Sequence, residues 1–453
     1  MLADRAAVLA LVKSEMGKHY TEGLFTEGLG PLEVLSAWRG VIAPQLSHRV
    51  HLNPIMFAHK RARWDLVPRG VIGVIAPWNF PVAGLYRSVF PALLTGNAVI
   101  VKPSEYTPRS SSWLVDHLAR YLPLGAVQAL TGDGSVGAQL INAGIDACVF
   151  TGSVKTGAEV RLRCAELGIF VSAEMGGKDA AIVLSDCNLP RTVAGITQWA
   201  LSNAGQACAA LEIAYVEDRI ADDFVRRLQR AWDKLRTGPG AEDVDVQPIA
   251  NEGQLKIIEA HVADALRKGA KLVTGGRRTG VGLGYLPTLL DHCTDAMDVV
   301  REETFGPVLA VVRFLGVDEA TRAINASSYG LGASIWSADV ARAERLAARI
   351  HVGVVDINNH AFTNAVAALP WTGTRATGLG VANSVWSLLT FCRPKTVVVD
   401  TSVGPEPFWM PFDATLRELG DALAEAQLGR VLRAWKVPLL LRKRIQTIRA
   451  FFR

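Results

Sequence analysis

The chain has 453 residues, 49% of them hydrophobic and 20% charged, with 41 glycines and 6 cysteines. This composition excludes a disordered or fibrous chain and a disulfide-stapled scaffold, favours a reducing, cytoplasmic compartment, and contains no apolar run near the roughly 18 to 20 residues that span a bilayer. The net charge of +5 sits at one end, because residues 428–453 carry Lys436, Arg442, Lys443 and Arg444 among other basic residues and no acidic one. The rest of the chain is slightly acidic, which argues against a nucleic-acid partner.

Residues 1–17 place Asp4, Arg5, Lys13 and Glu15 among apolar side chains, so they do not read as a secretory signal. From Pro68 onward short β-branched runs alternate with helical patterns, the rhythm of a parallel α/β sheet. Residues 71–76 and 98–101 read as strands buried on both faces, 110–121 as a helix, and 126–130, 148–150 and 180–184 as further strands, with a helix over 156–167. The second half repeats the style, with strands at 213–216, 271–273, 308–314 and 352–356 and helices over 222–235 and 252–268. Residues 238–245 read as a loop. After Asp400, Pro405, Pro407 and Pro411 interrupt regular structure, 414–427 reads as a polar helix, and an amphipathic basic segment follows around a break at Pro438.

Gly132, Gly134 and Gly137 form a literal GxGxxG between a strand and a helix, the arrangement that cradles a pyrophosphate. Alone it is weak, and a plain turn explains it equally well. A second helix start over residues 150–157 offers Gly152, Ser153 and Gly157, whose hydroxyl and backbone amides suit a phosphate as well.

More specific is an ordered set of segments: Trp78-Asn79-Phe80-Pro81, Lys102-Pro103-Ser104-Glu105, Phe150-Thr151-Gly152-Ser153, Glu174-Met175-Gly176-Gly177-Lys178, Gly205-Gln206-Ala207-Cys208 and Glu302-Glu303-Thr304-Phe305-Gly306-Pro307. Together, with the 34-residue step from Glu174 to Cys208, they resemble the NAD(P)-dependent aldehyde dehydrogenase superfamily from about residue 15 to about residue 400. The resemblance implies an aldehyde dehydrogenase-like α/β fold: a Rossmann-like cofactor domain (1–177) with a bridging or oligomerisation segment (50–67), and a second α/β catalytic domain (178–385). A late oligomerisation strand (386–402) and a C-terminal extension (403–453) complete the expectation.

Cys208 is the candidate nucleophile, since a thiol is weakly ionised at neutral pH yet strongly nucleophilic as its anion. It follows a small polar turn, Asn203-Ala204-Gly205-Gln206, and stands where the family keeps its catalytic cysteine, whereas Cys148, Cys164, Cys187, Cys293 and Cys392 read as structural. Asn79 is neutral with two side-chain donors, which suits an oxyanion; its plain role is a turn residue. The Cys208 backbone N–H is the second expected donor. Glu174 is the candidate base for thioester hydrolysis, against the plain reading of a solvated strand end. Relatives that pass the acyl group to coenzyme A or phosphate commonly lack this Glu, so a free carboxylic acid is the expected product.

For the cofactor, the resemblance assigns the adenosine ribose to Lys102 and Glu105, the pyrophosphate to Ser153 with Gly152 and Gly157, the nicotinamide ribose to Glu303, and nicotinamide packing to Phe305 and Trp78. Out of that context Lys102 and Glu105 would read as an exposed loop and Phe305 as core. A carboxylate at 105 repels a 2′-phosphate and tilts the choice toward NAD, with NADP allowed. Trp371, in a segment that matches the family only loosely, is the expected substrate-pocket aromatic. No metal is called for, because Cys and His show no ligand spacing, and no Arg or His is placed to demand an acidic substrate.

A homodimer or homotetramer follows from the resemblance alone. The family usually carries further residues ahead of Glu15-Met16-Gly17-Lys18, which leads to an expectation of a truncated or misassigned start. The basic tail reads as a contact for a membrane surface through residues 428–453, as packing on a partner subunit, or as disordered. The competing functional readings are a non-catalytic scaffold or membrane-associated structural protein of the same fold, and a cofactor-free esterase using Cys208.

Overall fold

The β-branched run Val71–Ile75 is buried or half-buried at every position and pairs in parallel with Ala98–Lys102 on one side and Ala147–Gly152 on the other. Val127–Ala129 extends the sheet past the first neighbour and Phe170–Met175 past the second. Gly378–Leu379 then closes that edge in antiparallel sense, giving six strands. The structure, a computed structural model, describes residues 3–30, 38, 40, 42–53, 57, 59–238, 244–429 and 435–453.

The lateral progress of the chain reverses at Val71–Ile75: the next two strands step one way and the following two the other. Open parallel sheets collect ligands beyond the carboxyl ends of strands at such a switch point. Here the segments leaving those ends are residues 76–82 and Gly152-Ser153. Ser153 caps helix Val154–Glu166, its hydroxyl accepting from the Thr156 amide. A Cβ on Gly157 would stand 2.1 Å from the Met175 sulfur, so the helix rests on strand Phe170–Met175 at a distance only glycine permits.

A second sheet has seven strands in the order Lys271–Thr274, Thr288–Asp291, Val308–Phe314, Leu211–Glu217, Asp179–Val183, Gly332–Trp336, Val354–Ile357, all parallel except the first pair. Helix Asp218–Trp232 buries Ala221, Phe224, Val225, Leu228 and Trp232 against it, spaced at three and four residues as one helix face requires. The strand expected at 352–356 begins instead at Val354. A Cβ on Gly353 would lie 1.7 Å from the Thr372 carbonyl oxygen, so that residue is a point of chain crossing. Residues 178–385 are not confined to this sheet, since Gly378–Leu379 belongs to the first.

The described chain forms two units, Met1–Leu46 with Leu66–Arg393, and Ser47–Asp65 with Pro394–Arg453. A three-stranded sheet sets Lys60–Pro68 between Ser47–Val50 and Cys392–Asp400. Within the expected bridging segment 50–67, residues 54–56 and 58 lie outside the described residues; in the expected 238–245 loop, 239–243 do. The Lys60 ammonium bonds Asp400 at 3.1 Å and also Glu406, and His59 stands 3.6 Å from Glu406. These two carboxylates and the imidazole are grouped as a metal site would be, but Lys60 already supplies the positive charge among them.

Helix Ala414–Gln427 begins at the Asp413 cap, and Pro438 lies in the first turn of helix Val437–Phe451. The expected break at Pro438 is therefore a helix start, where a missing N–H leaves no bond unmade. The two helices pack through Leu419, Ala422 and Leu440. Arg444, expected on a lipid-facing surface, is fully buried instead. Its guanidinium binds Asp413 at 3.0 Å and the carbonyls of Pro407, Trp409 and Pro411. Arg430, Val431, Leu432 and Arg433 of the tail lie outside the described residues. No described helix is long and apolar enough to cross a membrane.

Candidate active site

Two loops meet in the first unit. Residues 76–82 run from strand Val71–Ile75 into helix Ala83–Leu94, and residues 202–210 run from helix Leu189–Leu201 into strand Leu211–Glu217. The side-chain amide of Asn79 donates to the Gln206 carbonyl at 3.0 Å. Asn203 donates in turn to the carbonyls of Asn79 (3.0 Å) and Gln206 (2.9 Å). Asn203, Ala204 and Gly205 take φ of 54°, 54° and 71°, the left-handed region. Such residues cost on the order of 1–3 kcal/mol each outside glycine and persist only where surroundings over-determine them. Here Gln247 donates to the Asn203 side chain at 2.5 Å, Glu22 accepts from its backbone N–H, and a Cβ on Gly205 would lie 2.1 Å from the Gly306 carbonyl oxygen. The strained turn carries the chain to Cys208.

Cys208 is half-buried, and burial followed by the nearby Glu174 charge pushes its thiol up to about 12, with Arg87 opposing. Glu174, on strand Phe170–Met175, is raised by burial and drawn back by Arg87. Asn79, Glu174 and Cys208 all line one cavity of about 1050 Å³. Trp371 is fully buried in the same wall, in a cluster with Ala209, Leu331 and Ala361 that packs on Cys208. Of the other cysteines, Cys187 is half-buried and Cys148, Cys164, Cys293 and Cys392 are buried.

The sequence places no arginine clearly enough to demand an acidic substrate, but the fold brings Arg87 to the site. It lines the cavity, its guanidinium 5.9 Å from the Trp371 ring centre and within electrostatic reach of Glu174 and Cys208. Ala83, Gly84, Arg87 and Ser88 share one face of the helix that follows Asn79, and all four line the cavity.

At the other end of the cavity, buried Lys102 pairs with half-exposed Glu105 at 3.3 Å. Gly152 and Ser153 open the helix N-terminus onto the same space, and the Ser153 hydroxyl donates to Thr156 Oγ1 at 3.1 Å. The glycine pattern at 132–137 forms the turn its spacing suggests, Asp133 capping helix Gly134–Asn142; Gly134 and Gly137 also line the cavity. Trp78 and Phe305 meet edge to face, centroids 5.4 Å apart at 80°. Glu303 accepts from the Gly177 N–H at 3.1 Å, and a Cβ on Gly176 would lie 2.1 Å from its carboxylate. Burial, with Glu212 nearby, pushes Glu303 up to about 8. A helix N-terminus with open space at Gly134, a carboxylate–ammonium pair suited to ribose hydroxyls and a facing aromatic pair fit a nicotinamide dinucleotide.

Glu212 lies outside every sequence motif at the site. This buried carboxylate is ion-paired with Lys178 and accepts from the backbone N–H groups of Thr304 and Phe305, each at 2.8 Å. It holds Phe305 at φ 50° beside Trp78. A lone acid among the apolar residues of 211–216 is the sequence sign that a partner is needed.

The aldehyde dehydrogenase family profile matches residues 1–397. A 4,4′-diapolycopene aldehyde oxidase of Methylomonas sp is 37% identical over 408 residues, covering 89% of this chain and 76% of that protein. A putative succinate-semialdehyde dehydrogenase [NADP(+)] of Mycobacterium ulcerans is 38% identical over 335 residues, 73% of this chain and 65% of that protein. Among solved structures, the betaine aldehyde dehydrogenase of Staphylococcus aureus in complex with NAD+ superposes with a TM-score of 0.84 at 27% identity, covering 90% of this chain and 82% of that one. The NADP-dependent glyceraldehyde-3-phosphate dehydrogenase of Bacillus halodurans, complexed with NADP, gives 0.84 at 33% identity over 88% and 84%. The chain belongs to the aldehyde dehydrogenase family and is an enzyme of aldehyde oxidation with NAD(P).

Proposed function

We propose that Cys208 is the nucleophile of this oxidation, that Asn79 and the Cys208 backbone N–H receive the oxyanion, and that Glu174 is the base. The supporting observation is the Asn79–Gln206 hydrogen bond, which ties the donor loop to the nucleophile loop at the wall that Glu174 shares. With the thiol held near 12, attack depends on proton transfer to Glu174 and not on a standing thiolate. The raised Glu174 carboxyl is the better proton acceptor for it. The sulfur bonds to the carbonyl carbon, and the Asn79 amide stabilises the resulting alkoxide. Lys102, Glu105, Ser153 and Glu303 would hold a nicotinamide dinucleotide, which would supply the hydride acceptor for oxidation of this adduct to a Cys208 thioester. Glu174 passes the thiol's proton to solvent and then takes a proton from water as the water oxygen bonds to the acyl carbon; the C–S bond breaks, Cys208 takes that proton back from Glu174, and the carboxylic acid leaves.

The test is reduction of NAD and NADP, in parallel, by a panel of aldehydes, with Cys208→Ser as control. Turnover lost in the variant supports the assignment. Folded protein that binds dinucleotide and reduces none overturns it in favour of the scaffold. Glu105 favours NAD, because its carboxylate accepts from ribose hydroxyls and repels a 2′-phosphate.

Long apolar aldehydes are the substrate class best supported. Trp199, Leu331, Ala361 and Trp371 build an aromatic and aliphatic wall around Cys208, and the Methylomonas relative is named for 4,4′-diapolycopene aldehyde. Arg87 favours a second reading, a short aldehyde bearing a carboxylate, in keeping with the semialdehyde named for the mycobacterial relative. The ratio of kcat/KM for a long-chain aldehyde and succinic semialdehyde separates the two.

The tail supports a peripheral lipid contact. Helix Val437–Phe451 exposes Arg442, Lys443 and Arg449, with exposed Trp435 and Leu439 at one end and Phe451 and Phe452 at the other. Each basic residue near an anionic surface contributes about 1 kcal/mol, and aromatic ends suit the interface. Full-length protein should co-sediment with phosphatidylglycerol vesicles and not with phosphatidylcholine vesicles, and the Trp435→Ser, Phe452→Ser double variant should lose that binding. Absence of binding to either vesicle overturns the contact.

A further inference from the structure

The short segment after helix Arg5–Met16 reaches both loops of the site. Lys18 and Glu27 are each 1% exposed and paired at 2.5 Å. The Lys18 ammonium also donates to the Asn79 carbonyl at 3.0 Å and lies 4.1 Å from the Phe80 ring centre. Glu27 spends its other oxygen on the backbone N–H groups of Val82 (3.1 Å) and Ala83 (2.7 Å), where helix Ala83–Leu94 begins. The buried pair thus brackets Asn79, the cation holding its carbonyl and the anion holding the helix start that follows. A second carboxylate, Glu22, holds the opposite loop through the Ser202 hydroxyl (2.9 Å) and the Asn203 N–H.

A buried ion pair is weak evidence for stability, because hydrophobic residues of similar volume often replace it without loss. What the pair supplies here is geometry. Two donors, Lys18 Nζ and Asn203 Nδ2, converge on one carbonyl, each at 3.0 Å. They fix the peptide plane after Asn79 and with it the direction in which the Asn79 side chain leaves the backbone. Displacement of a donor by about 1 Å is enough to cost on the order of 100-fold in rate.

We propose that Lys18 is the positioning residue of Asn79, and that Glu27 acts by holding Lys18. The proposal rests on the assignment of Asn79 as oxyanion donor, and its action is on the attack step, leaving the dinucleotide site untouched. Lys18 touches neither substrate nor cofactor in this arrangement; its effect passes through the Asn79 carbonyl.

A double-mutant cycle on the full-length chain tests it, with kcat measured on the best aldehyde of the panel and dinucleotide Kd measured alongside. Lys18→Met is expected to lower kcat by about 10- to 100-fold with Kd for the dinucleotide unchanged. In an Asn79→Ala background the same substitution should cost less than about twofold, because the group it positions is already gone. Lys18→Met leaves Glu27 buried and unpaired and is the variant at risk of misfolding. The Lys18→Met, Glu27→Gln double variant removes both charges and keeps an acceptor for the Val82 and Ala83 amides, so it carries the same cycle. An equal loss from the Lys18 substitution in both backgrounds, or wild-type kcat in either folded variant, overturns the proposal and leaves the oxyanion assignment standing. An Asn79→Ala enzyme that turns over at the wild-type rate removes the assignment itself.

Discussion

Asn79 donates its side-chain amide to the carbonyl of Gln206 at 3.0 Å, two residues ahead of Cys208 in the chain. That bond spends one of the two amide hydrogens on aligning the loops and leaves the second for a substrate oxygen. Asn79→Ala should lower kcat by about 100- to 1000-fold, the usual loss of one oxyanion donor. Steady-state kinetics on folded protein with unchanged dinucleotide affinity checks it, and a loss confined to KM would count against the role.

The Cys208 thiol, pushed up to about 12, is protonated throughout the physiological range. Its alkylation by iodoacetamide should accelerate by about tenfold per pH unit between about pH 7 and 9 without levelling off, because the thiolate is the reacting form. The rate is read from mass-spectrometric labelling of Cys208 in the chain without cofactor. A plateau near neutral pH would mean a standing thiolate and a different activation of the nucleophile.

Glu174→Gln should slow both halves of the reaction, the attack by Cys208 and the hydrolysis of the thioester. Loss of the base slows thioester hydrolysis by about 100- to 10,000-fold. A variant whose attack step still proceeds gives a rapid burst of NAD(P)H equal to the enzyme concentration, followed by a slow steady state. Stopped-flow absorbance should show no such burst, because Glu174 also takes the Cys208 proton during attack; a full burst would confine Glu174 to the hydrolysis. Unchanged steady-state turnover would exclude Glu174 from both.

Glu303 carries a pH dependence of stability. Its carboxyl is raised from the ordinary 4.5 to about 8 by burial and by Glu212. Below about pH 4.5 both folded and unfolded chains hold the proton and the group contributes no penalty. As pH rises from about 4.5 to about 8 the unfolded chain releases its proton first, so stability falls, and above that the penalty is complete. Between pH 5 and 8 the denaturant midpoint of Glu303→Gln should therefore decline less than that of the wild type. Parallel curves would show that the carboxylate is ionised at its folded position throughout.

Strands and helices with a clear apolar period were legible before folding. Residues 71–76 are rich in Val and Ile, residues 308–314 are apolar but for Arg313, and helix Asp218–Trp232 repeats its apolar face at three and four residues. Gly332–Trp336 was not legible as a strand, and of Phe170–Met175 only a strand end at Glu174 was. Ser172, Glu174 and Ser334 interrupt their apolar character, and Gly332 and Ala333 have low strand propensity. Neighbouring strands on both sides make them strands, which is a tertiary effect that no local window contains.

The order and spacing of the short segments around Asn79, Lys102, Ser153, Glu174, Cys208 and Glu303 were enough to mark the family and with it aldehyde oxidation with NAD(P). Arg87, Glu212 and the Lys18–Glu27 pair needed the folded chain. Each is a charge in a locally ordinary setting, and its meaning comes from a partner far along the chain: Glu212 from the amides of Thr304 and Phe305, and Lys18 from the carbonyl of Asn79. The tail divided the same way. Its basic, amphipathic character was plain from composition, but the assignment of Arg444 to Asp413 and three carbonyls, away from any surface, followed only from the packing of two helices. A side chain's type limits which partners it accepts, and only the fold decides which of them arrives.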